Sequence, residues 1–375
     1  MLYKNGYIVT RIFTVREADV RVSKGIITDI LPPGAVSDGE GEIDLHGDVL
    51  CPGLVDMHIH GCKGVDFSSE DDTCSCLDVM SRYLHSRGVA AFAPAAMTMP
   101  YEELCRLMER YRAASLNPLS GAALAGVYLE GPFLSAAKCA AQPEEYIIPP
   151  DSDKLRELHR RSGEHIRIAC VAPEADGAEQ FIREAAGFCR VSAAHTAADY
   201  ETGVRAVKAG ITNATHLYNA MNDVTRRAPG CAAALLESDC FCELICDGIH
   251  IHPAVIRLTF KMIGENRLII VSDGMAATGL GEGTFRLGTQ CVTVKGSEAR
   301  LSNGFLAGSV TDIRTAFQKA VEYGLPPLDA LRAVTINPAR ALGIDGSFGT
   351  IEVGKSARLT VFSADLLRGA DAAGT

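Results

Sequence analysis

Six residues carry the chemistry legible in this chain: His58, His60, Glu130, His195, His216 and Asp273. Each falls at the end of a run that reads as a β-strand. In Val55-Asp56-Met57-His58-Ile59-His60 the residues alternate in polarity, so both imidazoles project from one side of the strand. A His-x-His pair alone is a weak signal, and two ordinary histidines are the competing reading. Glu130 before Gly131-Pro132, with His195 and His216 further along, changes that balance. Imidazole and carboxylate donors without a thiolate suit zinc, iron, manganese or cobalt, and one or two divalent ions per subunit are expected. A site short of full coordination leaves room for water or substrate, which points to hydrolysis. A bound divalent ion lowers the pKa of water to roughly 7, and two ions about 3.5 to 4 Å apart can share the resulting hydroxide. Asp273, in Val271-Ser272-Asp273-Gly274, is suited to take the proton from that water and return it to a leaving amine. For a lone strand-end aspartate the alternative is a helix cap.

The positions of these residues are set by eight short apolar runs: Leu54–His60, Val89–Pro94, Leu124–Glu130, Ile166–Ala172, Cys189–His195, Ile211–His216, Cys242–Asp247 and Arg267–Asp273. Amphipathic stretches separate them. In Tyr101–Ala114, for example, Leu104, Leu107, Met108 and Tyr111 fall at i, i+3, i+4 and i+7. Eight strands alternating with helices predict an α/β fold, a (β/α)8 TIM-like barrel whose active site lies at the C-terminal strand ends. An open doubly wound sheet would instead gather its ligands at one switch point. The flanks read differently. Tyr7–Thr10, Asp19–Ser23, Ile26–Ile30 and Glu42–Leu45 are short alternating runs broken by Gly, Pro and Asp, and 350–363 looks the same. A small β-sandwich domain built from residues 1–52 and 346–375 is therefore expected beside a catalytic barrel over 53–345, with a frayed tail at the C-terminus.

Composition narrows the partners. A formal charge of -10 over 375 residues, with no basic stretch to offset it, argues against nucleic acid and favours a small-molecule substrate. The N-terminus lacks an apolar core and cleavage site, and no apolar run is long enough to span a membrane, so the expected location is the cytoplasm and no membrane partner is expected. Thirteen cysteines, an odd number without a CxxC pair, predict free thiols that act as small buried hydrophobes, including the groups Cys74/Cys76 and Cys240/Cys242/Cys246. Of the ten histidines, His46, His85, His159 and His165 fall in turns or on helix surfaces and are expected to be solvated.

The local motifs go further. Pro52-Gly53-Leu54-Val55-Asp56-Met57-His58-Ile59-His60-Gly61, Leu129-Glu130-Gly131-Pro132-Phe133, Ala194-His195-Thr196, Ala214-Thr215-His216-Leu217-Tyr218-Asn219-Ala220-Met221, Asp247-Gly248-Ile249-His250 and Ser272-Asp273 occur in this order. Together they resemble the N-acetylglucosamine-6-phosphate deacetylase family of the amidohydrolase superfamily, from about residue 40 to residue 360. Many amidohydrolases with two metals bridge them by a carboxylated lysine on strand four. Ile166-Arg167-Ile168-Ala169-Cys170-Val171 has no lysine, and Glu130 fits the bridging role that a glutamate fills in the resembled family. The resemblance implies that Glu130, His195 and His216 hold one metal, and that His58, His60, Glu130 and Asp273 complete a second site. It also implies that the sugar phosphate is bound by Asn219, Ala220 and Arg227, with His250 on the sugar. An arginine suits a phosphate through paired charge-assisted hydrogen bonds, although Arg226-Arg227 also reads as a solvated loop pair. His252, before Pro253, reads equally as a helix-entry residue.

Two departures stand out. Where the family carries a histidine that polarises the acetyl carbonyl, this chain has Gln142, whose amide donates a hydrogen bond but cannot become cationic. The C-terminus is short and lacks a clear final strand. The resemblance implies hydrolysis of N-acetylglucosamine 6-phosphate to glucosamine 6-phosphate and acetate, with hydroxide on the metal attacking the acetyl carbonyl, and a homodimer. The alternatives are an amidohydrolase acting on another acetamido sugar phosphate or a cyclic amide, and a barrel scaffold without catalysis.

Overall fold

The computed structural model describes residues 1–37, 39–69 and 72–368. The eight apolar runs become eight parallel strands: Leu54–Ile59, Val89–Ala96, Val127–Leu129, Ile166–Val171, Arg190–Ala193, Ile211–Ala214, Phe241–Ile245 and Leu268–Val271. Hydrogen-bonded neighbours follow chain order from the second to the eighth, and the first lies beside the second. The ring closes between the last strand and the first, where Asp273 N donates to His58 O at 3.0 Å and His60 N to Gly274 O at 2.8 Å. Closure removes both sheet edges, so the barrel holds and the open sheet does not.

Helices wrap the outside because each carries one apolar stripe. In helix Tyr101–Ser115, Leu104, Leu107, Met108 and Tyr111 are all buried, as their spacing predicts. Four helices begin at an aspartate, Asp72, Asp151, Asp199 or Asp312, whose carboxylate accepts a backbone N–H two or three residues on. Each such cap satisfies an amide with no intrahelical partner and is worth about 1 kcal/mol. The third strand differs from expectation. Leu124–Glu130 is split at Gly126, whose φ of 124° suits glycine, into Ala123–Leu124 and Val127–Leu129. Both pieces pair with Val89–Ala96, and Val127–Leu129 pairs with Ile166–Val171 as well; across the break Ala125 N bonds Phe92 O and Val127 N bonds His165 O.

Both chain ends meet in two small sheets. One orders Ile26–Leu31, Asp19–Ser23, Leu2–Lys4 and Glu42–Asp44; the other orders Leu359–Phe362, Val49–Pro52, Tyr7–Val9 and Val15–Glu17. A separate apolar cluster including Ile8, Val20, Ile27, Leu50 and Ile351 lies between them. Within 350–363 only Leu359–Phe362 is a strand, antiparallel to Val49–Pro52, and helix Ala364–Arg368 follows it. The final strand thus lies inside the stretch 350–363 that alternates as strands do, and among the described residues no further strand follows it. The rest of the expected frayed tail, 369–375, lies outside the described residues.

An element absent from the sequence reading follows the eighth strand. Gly283–Leu287, Gln290–Lys295 and Glu298–Arg300 form a three-stranded antiparallel sheet. Its inner residues Leu287, Val292, Val294 and Ala299 pack with Met97 and Met275 beside the barrel mouth. All thirteen cysteines are free; Cys76, Cys240, Cys242 and Cys246 are buried as expected, whereas Cys74 is exposed on its helix. Burial pushes the Cys62 thiol up to about 12, which makes it inert at neutral pH. Among the described residues no helix is long and apolar enough to cross a membrane.

Candidate metal centre

The barrel brings all six chemistry-bearing residues to one point. Glu130 Oε1 lies 3.1 Å from His195 Nε2 and 3.0 Å from His216 Nε2, while Oε2 lies 3.2 Å from His60 Nε2 and 3.8 Å from His58 Nε2. Asp273 Oδ1 is 3.2 Å from His60 Nε2 and 3.6 Å from His58 Nε2. Each Glu130 oxygen therefore serves a different pair of imidazoles. Two groups of donors result, His58/His60/Asp273 and Glu130/His195/His216, each compact enough for one ion.

Local backbone geometry aims these side chains. His195, His216 and Asp273 each follow a strand by two residues and adopt positive φ, at 42°, 25° and 47°. The left-handed turn reverses the chain at the barrel rim and directs the ends of the fifth, sixth and eighth strands toward the axis. Gly131 completes the arrangement after Glu130, because a Cβ there would overlap Thr98 Oγ1.

Electrostatics shows what the site is built to hold. Burial alone would raise the carboxyls of Glu130 and Asp273, yet the imidazoles around them hold both below the ordinary range, Glu130 well below. Burial would depress the imidazoles, but the facing carboxylates lift His60 to about 9 and hold His58 well above the ordinary imidazole value. Such a field calls for positive charge at the Nε2 atoms. His58 Nε2 is buried without a hydrogen-bond partner, oriented toward both carboxylates. Four imidazoles and two carboxylates with an unengaged buried ring nitrogen fit divalent metal well.

Beneath the ligands lies a polar layer that the sequence reading missed. Glu243, fully buried inside the barrel, accepts hydrogen bonds from Tyr128 Oη at 2.8 Å, Asn213 Nδ2 at 2.7 Å and His216 N at 3.2 Å. Its Oε2 also faces His58 Nδ1 at 3.2 Å. This fixes the tautomer that leaves His58 Nε2 free for metal. His60 Nδ1 and His195 Nδ1 are held in the same way by the carbonyls of Ala95 and Lys138. A carboxylate in the middle of the apolar run Phe241-Cys242-Glu243-Leu244-Ile245 was the available signal.

The centre opens into a cleft of about 350 Å³ lined by His60, Glu130, Gln142, His195, His216, Asn219, Ala220, His250 and Asp273, and by Arg300 and Phe305–Leu306 of the added sheet and its loop. Gln142 has both amide atoms engaged: Nε2 donates to Glu130 Oε2 at 2.7 Å and Oε1 accepts from Thr98 N at 2.8 Å. His250 Nδ1 is held by Asp247 Oδ2 at 2.6 Å, leaving Nε2 as its unengaged ring nitrogen. Arg227 is exposed and does not line the cleft of its own chain. His252 caps helix Pro253–Ile263, its Nδ1 accepting from Ala254 N at 3.1 Å. His46 and His85 are exposed as expected, but His159 and His165 are half-buried, each with a partnerless Nδ1, and burial lowers both.

Comparison with known proteins agrees with this geometry. Residues 49–373 match the amidohydrolase family. The N-acetylglucosamine-6-phosphate deacetylase of Bacillus subtilis (strain 168) is 36% identical, the alignment covering 97% of this chain and 93% of that protein. The N-acetylgalactosamine-6-phosphate deacetylase of Escherichia coli O157:H7 is 32% identical over 92% of this chain and 91% of its own. The crystal structure of N-acetylglucosamine-6-phosphate deacetylase from Pasteurella multocida superposes with a TM-score of 0.91 at 32% identity, covering 97% of this chain and 96% of that one.

Proposed function

Because the chain belongs to the amidohydrolase family, we propose that its centre hydrolyses N-acetylglucosamine 6-phosphate to glucosamine 6-phosphate and acetate. The observation that carries this reading is Glu130, whose two oxygens divide between two pairs of imidazoles at the base of a cleft of sugar-phosphate size.

Glu130, His195 and His216 would hold one divalent ion, and His58, His60 and Asp273, with Glu130 reaching across, a second. When bound, metal supplies Lewis acidity, activating water near neutral pH and polarising the acyl oxygen. The residues of the chain do the rest. Asp273 takes one proton from the attacking water as its oxygen bonds to the acetyl carbon, and delivers that proton to the nitrogen as the C–N bond breaks. Gln142 holds Glu130 in register, and its bonds to Glu130 and Thr98 make it a positioning group for the carboxylate as well as part of the cleft wall. His250, fixed by Asp247, presents Nε2 to the sugar. Asn219 and Ala220 line the wall where the resemblance places the sugar phosphate.

Arg227 is outside its own cleft, so it serves a phosphate only if a second copy brings it there, which is the arrangement a homodimer would provide. Thirteen free thiols support a reducing compartment, and we place the enzyme in the cytoplasm. Zinc or iron suits the donor set best.

Steady-state acetate release tests the assignment, with N-acetylglucosamine 6-phosphate, N-acetylgalactosamine 6-phosphate and unphosphorylated N-acetylglucosamine supplied to enzyme loaded with divalent metal. Preference for the first supports it. Preference for the galactosamine epimer moves the assignment to the other sugar, and release from none of them overturns it.

A further inference from the structure

The loop after the sixth barrel strand, 216–221, has left-handed residues at three alternate positions: φ is 25° at His216, 77° at Tyr218 and 52° at Ala220. None of the three is glycine, so local preference does not favour this shape and the surroundings must hold it. The loop begins with the metal donor His216 and ends beside Asn219 and Ala220, which line the cleft. Its shape therefore sets the distance between the metal centre and that wall.

Contacts fix the loop at both ends. Near its start Leu217 N bonds Glu243 O at 2.8 Å, and the Tyr218 hydroxyl pairs with that of Thr259 at 2.6 Å. At its far end Thr196 N bonds Ala220 O at 3.0 Å, and the Lys138 ammonium donates to Met221 O at 3.1 Å. Of these four contacts, the one from Lys138 carries a full charge and is the stronger kind of hydrogen bond. The side chain is half-buried, and among the described residues no carboxylate stands within ion-pair distance to draw the ammonium away. Lys138 also reaches the metal centre. It closes the short turn Ala136–Lys138, which Ser135 N docks on His195 O at 3.0 Å, and its own carbonyl faces His195 Nδ1 at 2.9 Å.

We propose that Lys138 is a positioning residue that keeps the metal centre and the substrate loop in register. Its main chain orients the ligand His195, and its ammonium clamps the left-handed loop in the shape that presents Asn219 and Ala220. The proposal rests on the reading of the substrate as an amino-sugar phosphate seated against that loop. Because the two roles use different atoms, they separate under substitution: a new side chain removes the clamp and leaves the carbonyl that holds His195 in place.

The test uses the full-length, metal-loaded enzyme and the variants Lys138→Met, which keeps the length without the charge, and Lys138→Arg, which keeps a charged donor. Hydrogen exchange of the peptide covering 216–222 reads the clamp directly, and acetate release reads KM and kcat for N-acetylglucosamine 6-phosphate. Lys138→Met should speed exchange in that peptide and raise KM, each on the order of 10- to 100-fold, the range for loss of a charged hydrogen bond. Metal affinity, from competition with a chelator, should stay at the wild-type value, and Lys138→Arg should recover part of both losses. Unchanged exchange in Lys138→Met overturns the clamp. Faster exchange with unchanged KM overturns the positioning role, and so does a KM that rises only together with a fall in metal affinity. Wild-type enzyme that releases no acetate, with Lys138→Met still loosening the loop and weakening calorimetric binding of glucosamine 6-phosphate, would sink the deacetylase reading alone.

Discussion

Replacing Glu243 by Gln changes one atom in the interior of the barrel and should disturb the metal centre from below. The Glu243 oxygens face four donors or ring nitrogens: Oε1 takes Tyr128 and Asn213, and Oε2 takes the His216 amide and faces His58 Nδ1. A glutamine keeps only one oxygen. With its NH2 on the Oε2 side, it meets the His216 N–H and forces His58 to move its proton to Nε2, the atom aimed at the metal. With the NH2 on the Oε1 side, it meets the Asn213 amide. Either orientation leaves at least one buried donor without an acceptor, at a cost of about 1–3 kcal/mol in stability. Loss of a histidine's outer partner lowers metal affinity by roughly 10- to 100-fold, or about 1.4–2.8 kcal/mol. The first figure is read from urea unfolding of metal-free protein, and the second from competition with a chromophoric chelator. Reduced stability with unchanged metal affinity would show that Glu243 only satisfies the barrel interior. No change in either would refute the network itself.

Asp273→Asn should lower kcat by about 10²–10⁴-fold while elemental analysis still finds metal, and an active Asn variant would remove the proton-transfer role. Stripping the metal with a chelator should lower the Tm, and restoring a divalent ion at a hundred times its Kd should return about 2.7 kcal/mol; a Tm indifferent to chelation would mean the centre holds no ion. The Asp247–His250 pair should give a distinct pH signature. Burial opposes both charges, but their mutual bond outweighs it, raising His250 and lowering Asp247. The share from His250 is complete below about pH 6.5 and fades as pH rises through its folded value, whereas that from Asp247 is complete above about pH 3.9 and is lost as pH falls through its folded value. The difference in urea midpoint between wild type and His250→Asn should therefore be largest between about pH 4 and 6.5. A difference that does not vary with pH would refute the ion pair.

Much of the site was legible because barrel geometry places strand ends on one ring. Once His58, His60, Glu130, His195, His216 and Asp273 were assigned to strand ends, closure alone brought them together. Glu243 was not legible in the same way, since the strand positions that point into the barrel need no ligand-like spacing and its partners come from three other strands. The added sheet was missed for another reason. Its strands alternate well, but they follow the last expected strand, and nothing local says that a hairpin folds back over the mouth. Arg227 illustrates the converse: its motif was readable, but only folding shows that the loop carrying it points away from the cleft of its own chain.

The left-handed backbone at His195, His216 and Asp273 has a consequence for how such an enzyme tolerates change. A non-glycine residue in that region costs about 1–2 kcal/mol, so the three together cost roughly 3–6 kcal/mol, a sizeable part of the 5–15 kcal/mol that keeps a typical domain folded. Glycine at any of the three would relax the turn and remove the donor in one step. Screens that reward heat resistance without assaying turnover should therefore drift first at these positions, and a library meant to harden the fold should keep all three fixed.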